Sequence, residues 1–426
     1  MTHNARATGV SSVRPSEQIL PTLDEGPLTT YERDALARAF DLARLGPAHG
    51  PNPRVGCVLL ADVGAELASG FHRGAGTPHA EADALANAAA AGIDPRGATA
   101  VVTLEPCNHT GRTGPCSEAL LAAGVRRVVF AVGDPNPVAS GGAQRLRTAG
   151  IDVVGPPASP PRPVAPDRAG SELSGQGDAE ASDSPWAAIV EEGRELVRAW
   201  LTAAERGRPF VTLKTASTLD GRVAAVDGSS RWITSPESRA HAHAWRAQVD
   251  AIVVGTGTAL TDDPSLTARD ATGHLAAHQP LRVVVGHRDL PANAALHGDG
   301  GELVTMRTHD PLEVLAELHA REVRHVLVEG GPTLAAAFVR AGLIDELHAY
   351  VAPVLLGAGA PAVGDLSIGS IAEASRWQTR EVHRLGPDVL VVATALEQTA
   401  SAPTPPSNPG LPESHPAGTV PPDKES

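Results

Sequence analysis

"TLEPCNHTGRTGPC", residues 103–116, holds two of the chain's three cysteines, Cys107 and Cys116, with eight polar and turn-forming residues between them. A compact metal hook needs only two residues there, so this spacing asks for a loop with a task of its own. Upstream, "ATAVVTLE" (98–105) is a short apolar run that predicts a strand. Downstream, Pro115 suits a first helical turn, and "CSEALLAAG" (116–124) reads as a helix stopped by Gly124. Cys107 thus follows a strand and Cys116 opens a helix, where the macrodipole favours a thiolate.

Outward from this unit, helix and strand alternate. Residues 30–45 and 79–92 carry helical patterns, and 54–61 and 125–134 read as strands. That is a three-layer α/β front domain, residues 28–155. Residues 156–185 are rich in Pro, Gly and Ser and predict a linker. A back domain follows over 186–396, with strands predicted at 209–217, 250–255, 281–286, 325–330, 346–357, 377–385 and 388–396. Helices are predicted at 235–249, 311–322 and 332–342. The strand-rich end predicts a parallel sheet with an antiparallel edge. Residues 1–27 and 397–426 are polar and Pro-punctuated, and read as disordered extensions.

Composition excludes several classes. The chain has 426 residues, 42% of them hydrophobic, and a net charge of −14. An acidic chain without a basic tract is a poor grip for a nucleic acid or an anionic membrane surface. No apolar run is long enough for a transmembrane helix, and no signal peptide is read. Three cysteines do not make a disulfide scaffold, so a reducing, cytoplasmic setting is expected. Self-association into a homo-oligomer is left open.

The chemistry begins at "TPHAEADAL", which adds His79 and Glu81. One imidazole and two thiolates, from His79, Cys107 and Cys116, make three ligands for zinc and leave a fourth position for water. Glu81 is placed to carry protons rather than to ligate. His79-Ala-Glu81 with Pro106-Cys107 matches the H-x-E…P-C signature of zinc nucleobase deaminases. A closed structural site with His109 as fourth ligand is the competing reading, as is a metal-free packed cysteine pair. Cys57, in an apolar strand, reads as core. Asn52, Asp134 and Asn136 lie in Pro-flanked turns, where turn formation and substrate contact are both open.

In the back domain "VLVEGGPTL" runs a strand into Gly330-Gly331 and then a helix, an arrangement whose bare amides suit a nucleotide phosphate. An ordinary strand–turn–helix junction would read the same. No G-x-G-x-x-G follows the first strand, so a standard dinucleotide fold is not indicated. Only Lys214 and Lys424 are lysines, and Lys424 lies in the polar tail. A chain that otherwise uses Arg has kept one compact ammonium in its folded body. His241, His243 and Trp245 read as surface or packing residues.

"PNPRVGCVLL", "GTPHAEADAL", "TLEPCNHTGRTGPC" and "DPNP" together resemble the deaminase half of the bacterial bifunctional riboflavin-biosynthesis deaminase–reductases. In that family the inter-cysteine motif is usually C-S-H-x-G-x-T-P-P-C; here Asn108 and Gly114 depart from it. "LKTASTLDGRVA", "GSSRWITSPESR", "GTGTALTDDPSLTAR" and "VEGGPTL" resemble the reductase half. The resemblance implies a cytidine-deaminase-like domain followed by a dihydrofolate-reductase-like domain, with zinc and NADPH as cofactors and a pyrimidine ribosyl phosphate as substrate. It implies cofactor contacts at Ala216, Trp232, Thr258, Asp262 and the turn Gly331, Pro332, Thr333 and Leu334. It implies substrate contacts at Ser230, Leu266, Arg269 and Glu329, with Lys214, Asn52 and His109 as candidates added from the residues themselves. The inter-cysteine loop, with Asn108, His109, Thr110, Arg112 and Thr113, would hold a sugar phosphate.

Two rivals stand beside this: a zinc deaminase of another nucleotide or of tRNA with an inactive nucleotide-binding back domain, and a structural zinc module fused to a nucleotide sensor. If the lone lysine serves as a point charge, Lys214→Arg lowers reductase turnover at least tenfold. Near-normal NADPH oxidation by that variant would end the idea.

Overall fold

The computed structural model describes residues 28–109, 114–136, 140–156 and 186–396. The two extensions, most of the 156–185 linker, and Thr110, Arg112 and Thr113 lie outside the described residues.

The front domain runs α1 (Thr30–Arg44), β1 (Gly56–Leu60), β2 (Glu66–Phe71), α2 (Ala80–Ala90), β3 (Thr99–Val102), α3 (Cys116–Ala123), β4 (Arg127–Phe130), α4 (Gly142–Thr148) and β5 (Asp152–Val154). The sheet order is β2-β1-β3-β4-β5, with β1 antiparallel to both neighbours and the rest parallel. Strand periodicity builds the layers. Val58 and Leu60 of β1 join Leu36 and Phe40 of α1 on one face. Cys57 and Leu59 join Ala84 of α2, Leu120 of α3 and Leu146 of α4 on the other. Cys57 is therefore a fully buried core residue.

After the linker come α5 (Ala187–Leu196) and α6 (Arg198–Arg206), which the sequence reading did not resolve. Trp186, Val197 and Leu201 share a hydrophobic cluster with Leu36 and Phe40. A Cβ on Gly193 would lie 2.5 Å from a methyl of Val132. Residues 186–206 bridge the two cores: α5 packs on α1, while α6 packs on the strand Phe210–Thr218, with Arg198 over the Phe210 ring and Arg206 paired with Asp345.

The back domain continues with β6 (Phe210–Thr218), β7 (Arg222–Ala224), α7 (Pro236–Arg246), β8 (Ala251–Gly255), α8 (Thr256–Asp262), β9 (Leu281–Val285), β10 (Leu303–Met306), α9 (Pro311–Ala320), β11 (His325–Val328), α10 (Pro332–Arg340), β12 (Glu346–Ala352), β13 (Ala360–Pro361), β14 (Trp377–Leu385) and β15 (Asp388–Ala395). Its main sheet has the order β10-β9-β8-β11-β6-β12-β15-β14. The first six strands are parallel and the β14–β15 hairpin is antiparallel, the expected edge. One face packs on α9 and α10 through Val314, Leu318 and Phe338. The other packs under α8 and the loops around Leu266 and Leu296.

The two domains meet at Asp250, immediately before β8. Its Oδ2 accepts the amides of Arg324 (2.9 Å) and His325 (2.8 Å), while its Oδ1 accepts the amide of Gly50 in the front domain. Beside it His49 and His278 stack across the boundary with ring centroids 3.5 Å apart.

Helix α4 begins where the loop bearing Cys107 passes. A Cβ on Gly142 would fall 1.7 Å from the carbonyl oxygen of Pro106, so no side chain fits without moving that loop. Gly142→Ala should destabilise the front domain by roughly 1–3 kcal/mol and lower metal retention, read as thermal midpoint and metal per chain. Unchanged values in both would contradict the packing described here.

Candidate active sites

His79 is the N-cap of α2, with extended backbone (φ −67°, ψ 162°), so Glu81 falls inside the first helical turn. Cys107 lies in the turn after β3 and Cys116 is the first residue of α3. The three elements converge. His79 Nδ1 lies 3.6 Å from Cys107 Sγ and 3.4 Å from Cys116 Sγ, and all three donor atoms fall within 4.8 Å of one another. A tetrahedral zinc ion with ordinary nitrogen and sulfur bond lengths has N···S edges of about 3.6 Å, so the residues fit the ion. Among the described residues no fourth His, Cys, Asp or Glu joins the cluster. His109 lines the same cavity but stays outside the ligand set, which removes the basis for a closed structural site.

The electrostatics suit a dication. The hydrogen bond from Cys116, and then that with His79, push the Cys107 thiol down to about 4 despite burial. The same Cys107–Cys116 contact and burial push Cys116 up. Two sulfurs so close share one proton, and a cation in its place stabilises both as thiolates. Glu81 is 3% exposed, and burial raises its carboxyl above the usual range.

A cavity of about 320 Å³ opens over this cluster, lined among others by Asn52, His72, His109, Asp134 and Asn136. Asn52 Nδ2 lies 2.9 Å from His72 Nε2, and His72 Nδ1 lies 2.9 Å from the Pro78 carbonyl. That pairing assigns a neutral His72 donating to Pro78 and accepting from Asn52. Its ring also meets His79 edge-on. Burial lifts Asp134 to about 6. Glu105 accepts the amides of Asp134 and Ala143, tying the "DPNP" turn to α4. Asn108 is turned away from the cavity and accepts the Ser117 hydroxyl at 2.9 Å. Trp200, Glu322 and Arg324, all from beyond the linker, complete the wall. No sequence spacing ties them to the cysteines.

In the back domain Glu329 follows β11, with its side chain 6% exposed. Arg246 grips it at both oxygens (2.7 and 2.8 Å), and Lys214 Nζ stands 3.7 Å away. Burial alone would raise this carboxyl; the charge and hydrogen bonds of Arg246, helped by Lys214, hold it down at about 2. Burial lowers Lys214 against the pull of Glu329. Arg246 was not singled out in the sequence, although it shares a helix face with His243 at i,i+3. His243 lines the cavity and shares a hydrogen with the Thr267 carbonyl at 3.0 Å, so it belongs to the cavity wall rather than the surface. His241 packs as expected, 2.7 Å from the Tyr350 hydroxyl.

Lys214, Ser230, Leu266, Arg269 and Glu329, the anticipated substrate set, line one cavity of about 680 Å³ together with Trp232. Gly331, Pro332, Thr333 and Leu334 line an adjoining one of about 480 Å³. Ala216, Thr258 and Asp262 border both cavities, as do Lys214, Ser230 and Glu329. Two molecules bound there would touch. Trp232 borders only the first; it is 70% exposed, with the Arg239 guanidinium 4.5 Å from its ring. Arg269 is exposed at the rim and donates to the Gly273 carbonyl at 2.7 Å. The Gly331 amide donates to Thr258 Oγ1 at 3.0 Å. Pro332 has no amide hydrogen, so the first donors left at this helix start are the amides of Thr333 and Leu334.

Residues 30–132 match the cytidine and deoxycytidylate deaminase zinc-binding region, and residues 209–391 match the RibD C-terminal domain. A riboflavin biosynthesis protein RibD of Mycobacterium tuberculosis is 45% identical over 345 residues, covering 81% of this chain and 91% of the relative. That of Escherichia coli K12 is 36% identical, covering 83% and 96%. Among solved structures, Acinetobacter baumannii RibD superposes with a TM-score of 0.72 at 33% identity, covering 86% of this chain and 99% of that one. A deaminase/reductase of Thermotoga maritima gives 0.71 at 29% identity, with the same coverage.

The Glu329 site predicts a pH signature. Arg246→Met strands a buried carboxylate, at a cost of roughly 3–5 kcal/mol. The depressed carboxyl contributes stability above its unfolded value, near 4.5, and loses it as pH falls toward about 2. Without Arg246, burial pushes the variant's carboxyl up, so the stability gap between wild type and variant, from urea unfolding, should be widest near neutral pH and narrow as the pH falls toward about 2. A gap that does not change with pH would contradict the pairing.

Proposed function

The chain belongs to the RibD family of riboflavin-biosynthesis proteins, and from that premise we propose how its residues divide the work. It is an enzyme with a zinc-dependent deaminase half and an NADPH-dependent reductase half. We place the deaminase in residues 28–155 and the reductase in 186–396, with α5 and α6 serving as a bridge between the two cores.

The proposed substrate is 2,5-diamino-6-(5-phosphoribosylamino)pyrimidin-4(3H)-one. His79, Cys107 and Cys116 hold the zinc, which supplies a water acidic enough to be a nucleophile near neutral pH. Glu81 accepts a proton and returns it to the amine that leaves as ammonia, so the ring exchanges C–NH2 for C=O at the expense of one water. Burial suits Glu81 to this, since it pushes the carboxyl above its usual range, in the direction a proton carrier needs. Asn52, oriented by His72, and His109 are placed to hold the ring and sugar.

The product then has its ribosyl chain reduced to ribityl. Ala216, Thr258, Asp262 and the Gly331–Leu334 turn, with Trp232 at the cavity mouth, would hold NADPH, which would supply the hydride. Lys214 presents its ammonium to the sugar oxygens while Glu329 and Arg246 fix its position. Ser230, Leu266 and Arg269 form the rest of the substrate wall. The shared border between the two cavities is the observation that carries this assignment. A cytoplasmic setting is supported by three free cysteines, two of them needed as thiolates. Homo-oligomeric assembly is part of the same proposal, with edge strand β14 and its exposed Val382 as the surface available for it.

Two measurements on one reaction mixture separate the halves. Glu81→Gln should keep one zinc per chain, lose ammonia release by a factor of roughly 10²–10⁴, and still oxidise NADPH when given the deaminated intermediate. Ammonia release within threefold of wild type would remove Glu81 from the mechanism.

A further inference from the structure

The chain has two tyrosines. Tyr31 is exposed, whereas Tyr350 on β12 is 1% exposed and lines the larger reductase cavity, paired with Ala216 of β6 in the sheet register. Its ring centre lies 5.7 Å from Lys214 Nζ, and its hydroxyl is 2.7 Å from His241 Nδ1 on α7. His241 in turn lines a separate cavity of about 260 Å³, with Glu346, His348, Glu381 and His383 in its wall. The side chains of Glu381 and His383 are half-exposed, so that cavity reaches water. The two cavities have no lining residue in common, and the Tyr350–His241 bond runs between them beside an apolar cluster of Ala242, Leu390 and Val392.

A buried phenol needs a hydrogen-bond partner, and a serine or an asparagine would satisfy it. An imidazole, unlike either, can take a proton on one nitrogen while giving one from the other. Burial, and then His348 and His383, hold His241 below its usual range, so it is neutral and free to do both. Burial and the charge of Glu329 hold the Tyr350 phenol well above its usual range, so it keeps its proton until a strong base forms beside it. Reduction of the ribosyl group makes such a base. A hydride joins C1′, the C1′–O4′ bond breaks, and its electron pair leaves on O4′. One hydride and one proton are taken up, and NADPH, oxidised to NADP+, brings only the hydride. Lys214 holds the sugar oxygens only as a cation, so the proton needs another source. We propose that Tyr350 gives that proton to O4′ and is reloaded by His241, which draws on water in the second cavity. With Nδ1–H donating to the phenol oxygen, the phenol proton is free to point into the reductase cavity. After transfer, Tyr350 takes the Nδ1 proton and Nε2 takes one from water. Each turnover thus draws one proton from solvent, and exchange with that water resets the imidazole. This rests on the reductase reading above.

The test uses the full-length chain, given the deaminated intermediate and NADPH. Tyr350→Phe keeps the ring and removes the hydroxyl. It should lower kcat for NADPH oxidation by roughly 10²–10⁴, the range for a lost general acid. Its KM, and its affinity for NADPH without substrate, should stay within about threefold of wild type. His241→Asn keeps a hydrogen bond to the phenol but passes no proton. It should lower kcat at least about tenfold, and added imidazole should restore much of the loss. Zinc content and ammonia release, both read at the other half of the chain, report whether each variant is folded. A Phe variant with kcat within about threefold of wild type overturns the proposal, as does a fall in kcat matched by an equal loss of NADPH affinity. An Asn variant that turns over normally, or that imidazole does not help, overturns it too. Should the Phe variant fail to fold, the Asn variant and its response to imidazole decide. Failure of the reductase reading itself would look different: wild type would oxidise no NADPH with this intermediate.

Discussion

Each half of the protein is organised around one carboxylate taken out of water, and the cost of that desolvation fixes what surrounds it. Glu81 and Glu329 are both buried, but their neighbours push them in opposite directions. Burial pushes the Glu81 carboxyl up, and the neighbouring Cys107 sulfur adds to that push, so it is suited to exchanging a proton. Glu329 has a forked guanidinium on both oxygens and an ammonium beside it, so it stays charged. One environment makes a proton carrier and the other a rigid electrostatic anchor. The chemistry assigned to each half follows from that difference in compensation rather than from the residue type.

The metal set was legible in the sequence because its parts are local. His79 and Glu81 sit in one helical turn, and each cysteine sits at the junction of an element the pattern already predicted. The long inter-cysteine spacing then follows from topology: the chain must leave β3, pass the cavity and enter α3. Long, strongly patterned elements such as α1, α2 and β6 were legible for the same reason. Elements that escaped were short or built of small residues. Strand β2 is "ELASGF", β10 has four residues, and α8 is a seven-residue "TGTALTD". Their apolar content is too slight to give a period, and only tertiary packing selects their conformation.

The supporting residues escaped for a different reason. Arg246 and His72 bond side chains far away in sequence, and Trp200 and Arg324 line a cavity built mainly from another part of the chain, so no spacing announces them. His72 stands seven residues before His79, but its work on Asn52 depends on a hairpin return that only the folded sheet supplies. Composition changes at residue 186, but only packing shows that the segment after it bridges the two cores, with α5 on α1 and α6 on β6.

That packing bears on why the two halves share a chain. Helix α5 packs on the front core and α6 on β6, and Trp200 of α6 forms part of the deaminase cavity. Asp250 holds Gly50 and the start of β11 on one carboxylate, which ties the loop before Asn52 to the central strands of the reductase sheet. Burial raises the Asp250 carboxyl, and its three accepted amides work against that rise. The clamp therefore exists only when amides from both domains are in place, because a buried carboxylate stripped of one donor is destabilised by that donor's full worth. Part of the deaminase wall is thus supplied from beyond the linker, by Trp200, Glu322 and Arg324, and the Asp250 carboxylate fixes that part against the loop before Asn52.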